Sequence, residues 1–248
     1  LLFIWLLPVT SNGQPAGKEK LRVISYNIWN GFEHDASRRA NFINWIKGQQ
    51  PDILAMTELV GFTEKDLGQL ASEYGHKYYA IVKEEGYPVG ITSNEPITVV
   101  KKQMEGFWHG MLHVKTHGLD MIVTHLSPHD WKFRLKEAQM LTSYIQDNQL
   151  DNCMVMGDFN AYSPFDADWV ETHAQLIENM QKWDAEQEAY RNMRDGRFDY
   201  SVLSKFLSIG LTDICRLYVP ADKRTTFPAA FLYGWQHGDT RLHGIGER

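Results

Sequence analysis

Cysteine is scarce in this chain: Cys153 and Cys215 are the only two in 248 residues, too few for a disulfide framework to carry the fold. Positive charge is not in excess either. The 25 Lys+Arg against 31 Asp+Glu leave a formal charge of -6, which excludes a general field for gripping polyanions, so any nucleic-acid contact needs a local patch or a metal. Long apolar runs are missing as well. The N-terminal run, Leu1-Leu-Phe-Ile-Trp-Leu-Leu-Pro-Val9, is too short to span a bilayer, and nothing later is longer, so no stable membrane insertion is expected. Nor does the chain contain a Gly-Lys-Ser/Thr phosphate loop, a His-Glu-x-x-His pair, a Gly-x-Ser-x-Gly elbow or a Cys-x-x-Cys pair, which removes the chemistries those motifs carry.

What is present begins with that apolar run. Followed by the polar, Gly- and Pro-containing residues 10–17, with Ser11 and Gly13 as small residues near a cleavage point, it reads as the core of a secretory leader. The alternative is a buried N-terminal strand or helix. There is no initiator Met and no basic segment ahead of it, so residues 1–20 are expected to be a partial signal peptide and leader. No Cys follows to take a lipid. Export, to a secreted or periplasmic location, is the expectation. The remainder, 21–248, fits one large domain; with 43% hydrophobic and 12% aromatic residues it can build a sizeable core.

Four apolar runs share one design. Residues 21–27 end on Asn27, 52–58 on Glu58, 121–125 on His125, and Cys153-Met-Val-Met-Gly157 leads into Asp158 and Asn160. Each reads as a short buried strand with a polar residue at its C-terminal edge. In an extended segment residues two apart point the same way, so Asp158 and Asn160 are expected to face one spot roughly 6–7 Å apart. Strands lie only ~5 Å apart in a sheet, so neighbouring strands ending at one rim bring Asn27, Glu58, His125, Asp158 and Asn160 into a single cleft. Asn and Asp also simply terminate strands; the coincidence of all these side chains favours the cleft.

Between the strands, residues 35–47 read as a helix capped by Asp35 or Ser37 and stopped by Gly48 and Pro51. A second helix is expected over 64–74, and the clearest over 131–146, with Asp130 as its cap and Trp131, Leu135, Ala138, Leu141 and Ile145 as its stripe. Segments 78–82, 89–92, 97–100, 111–114 and 121–124 suggest an antiparallel meander. Residues 166–193 read as helical, with Trp169 and Trp183 as packing anchors, and 200–207 as a further helix. Residues 211–215 and the turn-like Thr225-Thr-Phe-Pro228 return toward the core. His109, His113 and His117 are spaced four apart in strand-like surroundings, so they read as surface or core histidines, His109 being the one able to line the cleft. His129, after Pro128, reads as a loop or cap residue. Many short strands with a few helices point to an α/β (α+β) fold, two mostly antiparallel sheets packed face to face with helices outside.

Carboxylates and carboxamides offer the hard oxygen ligands that suit Mg2+, which takes one or two carboxylates plus substrate phosphate. Hydrolysis at phosphorus follows from that set. Asp158 would orient and activate a water, Asn160 would fix that water or a phosphoryl oxygen, and His125 would donate to a phosphate oxygen or the leaving group.

The residues at these positions resemble the endonuclease/exonuclease/phosphatase superfamily, the deoxyribonuclease I-like fold. Ser25-Tyr-Asn-Ile28 is similar to its first motif, Thr57-Glu58 to its metal-binding glutamate motif, and Gly90-Ile-Thr-Ser-Asn-Glu-Pro-Ile97 to its strand ending in a Ser-x-x-Pro-Ile turn. Thr124-His-Leu126 resembles its Thr-His-Leu motif and Gly157-Asp-Phe-Asn160 its most diagnostic signature. Gly210-Leu-Thr-Asp213 and Thr226-Phe-Pro228 resemble later segments. The resemblance implies a four-layer α/β/β/α sandwich and phosphoester hydrolysis dependent on Mg2+ (or Mn2+). Asn27 and Glu58 carry over as metal-site residues, and His125, Asp158 and Asn160 as catalytic and phosphate-contacting ones. The family pattern continues beyond the equivalent of Arg248 with a terminal Asp-His pair, so the sequence reads as lacking its C-terminal end, and a polypeptide of this extent is expected to be inactive or impaired.

The expected function is a phosphoesterase, a phosphodiesterase in particular, acting as a monomer on a nucleic acid, a phospholipid headgroup or a small phosphorylated metabolite. A catalytically inactive secreted binding protein on the same fold is the alternative. An unrelated β-sandwich carbohydrate binder is a third, and it would not need Glu58 and Asp158 in one cleft.

Overall fold

The computed structural model describes residues 5–8, 20–186 and 191–224. The expected cleavage point near Ser11 and Gly13 and the turn at Thr225-Thr-Phe-Pro228 lie outside them. The described residues form two compact units, one taking in those up to His125 together with Asp151–Asp158, the other Leu126–Leu150 and those from Phe159 onward.

The first unit holds both main sheets. In chain order its elements are β1 (Trp5–Pro8), β2 (Lys20–Asn27), α1 (Ala36–Gln49), β3 (Ile53–Thr57), α2 (Glu64–Glu73), β4 (Tyr78–Ile81), β5 (Gly90–Ser93), β6 (Thr98–Gln103), β7 (Met111–Thr116), β8 (Leu119–His125) and β9 (Cys153–Asp158). One sheet runs β1-β2-β3-β5-β4 and the other β6-β7-β8-β9. All neighbours are antiparallel except the pairs β2/β3 and β8/β9. Trp5–Pro8, inside the run read as a leader, pairs with β2.

The expected meander is divided. β4 and β5 belong to the first sheet and β6 to β8 to the second, because the chain leaves β5 through Asn94, Glu95 and Pro96, and proline cannot continue a ladder. The sheets face each other through β2 and β3 against β8 and β9. Strand β3 is buried at every residue, which is why its sequence shows no alternation.

Helices α1 and α2 close the outer side of the first sheet. Ile24, Leu54, Met56 and Ile81 from the strands pack with Phe42, Ile43, Ile46, Leu67 and Leu70 in one cluster, each such side chain contributing about 1.5–3 kcal/mol on burial. Asp35 caps α1 by accepting from Ser37 and Arg38 backbone N–H groups. Gly48 does not stop this helix: it runs to Gln49, and Gln50, in the left-handed region, ends it before Pro51. Thr63 and Asp66 form a capping box on α2.

His76 sits at the end of the first sheet remote from the C-terminal ends of β2 and β3. It is buried, with Nδ1 2.8 Å from Thr92 Oγ1 and Nε2 2.8 Å from the Pro51 carbonyl oxygen. Burial pushes its pKa below the ordinary 6.5. A histidine whose folded pKa is depressed binds its proton more readily when unfolded, so stability is intact above pH 6.5 and falls as pH drops from there through the folded value. The stability advantage of the wild type over His76→Gln, measured by urea unfolding, is therefore expected to shrink as pH falls below that point; a pH-independent difference would contradict it.

The second unit contains α3 (Trp131–Asp147), α4 (Ala167–Glu171), α5 (Ala174–Glu186), the hairpin β10 (Met193–Arg194) and β11 (Arg197–Phe198), α6 (Ser201–Leu207) and α7 (Ile214–Tyr218). The helix expected over 166–193 is thus two helices and the first strand of a hairpin. The segment 211–215, expected to return toward the core, is the cap and start of α7, with Asp213 accepting from Arg216 N–H and Cys215 buried. Trp169 and Trp183 pack against Tyr162, Val170, Met180, Met193 and Phe198. Buried Arg134 of α3 donates through Nη1 to the Ser127 carbonyl and through Nη2 to Asn192, while buried Glu137 accepts from Ser127 N–H. Among the described residues no helix is long and apolar enough to cross a membrane.

Candidate active site

Both parallel strand pairs deliver polar residues to their C-terminal ends. Asn27 closes β2 in register with Thr57, the residue before Glu58. His125 closes β8 in register with Asp158, which closes β9. The backbone reaches this arrangement through Gly157, whose φ of +132° and missing side chain let β9 lie against Thr124.

The Asn27 amide joins the two acids. Its Nδ2 donates to Glu58 Oε1 at 2.9 Å and to Asp158 Oδ2 at 3.0 Å, so the carboxylates of one sheet's rim and the other's come within two hydrogen-bond lengths of each other. The amide cannot be reversed freely, because Asn27 Oδ1 accepts from Trp29 N–H at 2.8 Å. Asn27 therefore turns its NH2, and not its oxygen, toward the acids. Glu58 Oε2 accepts from Asn30 N–H at 2.8 Å. His125 Nε2 lies 4.0 Å from Asp158 Oδ2.

Backbone strain collects beside these groups. Residues 29–34 all take positive φ, and so does Glu58, at 59°. For residues with a side chain this costs roughly 1–2 kcal/mol each, and such runs persist only where the surroundings over-determine them. Here Phe32 is buried with its ring 5.2 Å from that of Phe42. Arg38 donates to the Ile28 carbonyl and to Glu33, and Gly31 N–H donates to the Glu58 carbonyl at 2.8 Å. A β-carbon on Gly31 would lie 2.1 Å from the Val60 carbonyl oxygen. The turn thus holds Asn30 N–H against Glu58.

Two of the three buried polar side-chain atoms that lack a hydrogen-bond partner among the described residues belong to this rim: Thr57 Oγ1 and His125 Nδ1. Unsatisfied buried atoms are uncommon and concentrate where function demands them. No group of three or more His, Cys, Asp and Glu side chains is arranged to hold a metal ion among the described residues. The donor set nonetheless fits a hard cation that needs only one or two carboxylates from the protein, since Glu58 and Asp158 present oxygens on either side of one amide.

Asn160 is placed differently from the expectation. Strand β9 ends at Asp158, and Asn160 lies beyond it with φ of 46°, so strand alternation no longer relates the two. Its buried Nδ2 donates to the Leu126 carbonyl at 2.8 Å. His113 is a core histidine, its Nε2 2.7 Å from Asp120 Oδ1, and His117 bonds Asn94. His109 is the one that reaches the rim: its ring stacks on that of His125 with centroids 4.3 Å apart and planes 30° from parallel. Trp29 and Asn30, which supply backbone donors, carried no sequence signal, because a backbone N–H is the same on every residue.

The sequence matches the Endonuclease/Exonuclease/phosphatase family over residues 24–235. No curated protein matches it at a significant level. Among solved structures, an AP endonuclease from Archaeoglobus fulgidus is similar with a TM-score of 0.62 and 22% identity, over 92% of this chain and 84% of that one. The 3' phosphatase NExo from Neisseria, bound to a product DNA hairpin, gives 0.58 and 18%, over 81% and 75%. The 3'-5' exonuclease NExo from Neisseria meningitidis gives 0.57 and 19%, over 80% and 75%. These likenesses show a common fold. Taken with the match across most of its length, they make this chain a member of the endonuclease/exonuclease/phosphatase family.

Proposed function

We propose that the protein hydrolyses phosphodiesters of nucleic acids with a divalent cation, Mg2+ or Mn2+, at the rim formed by Asn27, Glu58, His125 and Asp158. The observation that carries this reading is the Asn27 amide bonded to both acids, which keeps two carboxylates beside one histidine at the ends of rigid strands. Family membership supports ester hydrolysis at phosphorus, and the DNA-directed enzymes among the similar structures support the choice of nucleic acid.

Glu58 would hold the cation, with Asn27 keeping it beside Asp158. When bound, the ion polarises the phosphoryl group and offsets its charge. Asp158 accepts the proton of the attacking water and aims that water at phosphorus. His125 Nε2, on the same side as Asp158 Oδ2, donates a hydrogen bond to a phosphoryl oxygen or to the departing oxygen. Asn160 stays a proposed catalytic residue on its sequence pattern alone. Export also remains part of the proposal, resting on the apolar run at the N-terminus.

The test uses the full-length protein with bis-p-nitrophenyl phosphate and a short DNA duplex carrying an abasic site. Hydrolysis is expected with Mg2+ or Mn2+, to stop with EDTA and to return when the metal is restored. Glu58→Gln, which keeps the shape and removes the charge, is expected to lower the rate at least ~100-fold and to raise the metal concentration needed for half-activity. Activity indifferent to chelator, or unchanged in Glu58→Gln, would overturn the reading.

A further inference from the structure

His125 is poorly restrained by polar contacts. Its Nδ1 is buried without a partner, and its Nε2 is 4.0 Å from Asp158, beyond a hydrogen bond. Among the described residues no hydrogen bond therefore fixes the angle of its ring. What lies against the ring is His109, which is as buried as His125 itself, the two being 5% and 4% exposed.

His109 gets there through the turn before β7. Gly110, with φ of +107°, swings the chain so that the residue before it returns over the end of β8. A β-carbon at that glycine would lie 2.3 Å from the Met104 methyl carbon. The Gly110 carbonyl accepts from Thr124 Oγ1 at 3.2 Å, tying the turn to the residue preceding His125. Tyr87 stands against His109, ring centroids 5.4 Å apart, while being 42% exposed itself. The three rings make a column from the buried His125 to solvent.

We infer that His109 is a positioning residue for His125: its stacked ring sets the plane in which the His125 imidazole meets the substrate. The inference rests on the proposed hydrolase reading for its kinetic consequence, though not for its structural one. Offset stacking of flat rings is directional, and an imidazole free to rotate would spend much of its time with Nε2 turned from the reacting atoms. Misplacing a reacting group by about 1 Å costs up to ~100-fold in rate.

Two variants separate the roles available to His109. His109→Ala removes the ring and is expected to lower kcat on bis-p-nitrophenyl phosphate by about 30- to 100-fold, with KM within about twofold. His109→Phe restores a flat ring without nitrogens and is expected to recover the rate to within about fivefold of wild type. A His109→Phe as impaired as His109→Ala would overturn the inference by making a ring nitrogen necessary. An unimpaired His109→Ala would overturn it by making the ring dispensable.

A second readout does not depend on turnover. In protein labelled at the histidine Cε1 carbons, the His125 resonance, assigned by its loss in His125→Gln, is expected to be single and sharp in wild type and His109→Phe. It should broaden or split in His109→Ala, with circular dichroism unchanged. If that pattern holds while no variant or wild type hydrolyses any phosphate ester, the hydrolase reading fails and the positioning stands. If wild type is active and the His125 resonance of His109→Ala is unchanged, the positioning fails and the hydrolase reading stands.

Discussion

Asp158→Ala is expected to lower phosphodiester turnover about a thousandfold, the scale of losing a positioned proton acceptor, while the protein stays folded. The two halves of this expectation have separate causes. Asp158 accepts one bond from Asn27 Nδ2, and that same nitrogen also donates to Glu58. Removing the Asp158 carboxylate leaves one of the two Asn27 amide hydrogens without this acceptor while the other stays on Glu58, so the loss in stability should stay within about 1–3 kcal/mol. The rate has no fallback, because Glu58, the other acid bonded to Asn27, is the residue proposed to hold the cation. Asp158→Asn should be as inactive as the alanine, since it keeps the shape and loses the basicity. Steady-state rates at saturating Mg2+, beside urea unfolding curves, check both halves. A variant retaining a tenth of the wild-type rate would remove Asp158 from the chemistry.

Gly157→Ala, one residue earlier, should do the reverse and destroy the fold. A β-carbon there would sit 1.8 Å from the Thr124 carbonyl oxygen and 2.9 Å from its carbonyl carbon. Thr124 cannot step aside, for it is the register partner of Gly157 in the parallel pair β8/β9, and moving it would break the ladder on which His125 and Asp158 are mounted. The φ of +132° closes the other escape, since L side chains rarely adopt it. A cost above ~4 kcal/mol is expected, enough to unfold a marginal domain, read as insoluble expression or a lost urea transition. Gly48→Ala serves as the control. Its β-carbon meets nothing within 4 Å, and in a helix it should be neutral or stabilising by up to ~1 kcal/mol. If Gly157→Ala unfolds at the wild-type urea concentration, the close approach of β8 and β9 at this point is wrong.

These two neighbours show what was legible in the chain and what was not. Asp158, Glu58, Asn27 and His125 could be found because each stands at the C-terminal edge of an apolar run. Strand spacing accounts for Asn27 beside Glu58 and for His125 beside Asp158, but the two pairs stand on different sheets, and their meeting comes from the packing of one sheet on the other. The orientation of Asn27 did not follow: which end of its amide faces the acids is decided by Trp29 N–H, and no periodicity reports a backbone donor. The left-handed stretch at residues 29–34 was only partly visible: Asn30 and Gly31 favour positive φ, whereas Trp29, Phe32 and Glu33 do not, and Phe32 takes it packed against Phe42 beside the hydrogen bonds of Arg38.

Other features were visible and were overridden by a stronger-looking pattern. Asp195 and Gly196 are the strongest two-residue hairpin signal. Both have positive φ, 53° and 74°, between β10 and β11. The helical content around them masked the signal. Alternation relates Asp158 to Asn160 only while the chain stays a strand, and β9 ends at Asp158, a boundary that the sequence pattern does not mark. His109 is the histidine of its group that the sequence offers as a cleft residue, but its stacking on His125 through the Gly110 turn is a tertiary fact.

Strand β6 carries a consequence for how molecules of this protein meet one another in concentrated solution. It is the outer strand of its sheet, nearly all of it exposed, with Val99 and Val100 presenting the kind of β-branched surface on which amyloid-like growth starts. The break in register between Val99 and Lys101 interrupts the row of donors and acceptors a second chain would have to zip onto, and an antiparallel pairing centred on Lys101 and Lys102 would set like charges against each other. Colloidal solubility is in this way written into the same strand that would otherwise threaten it.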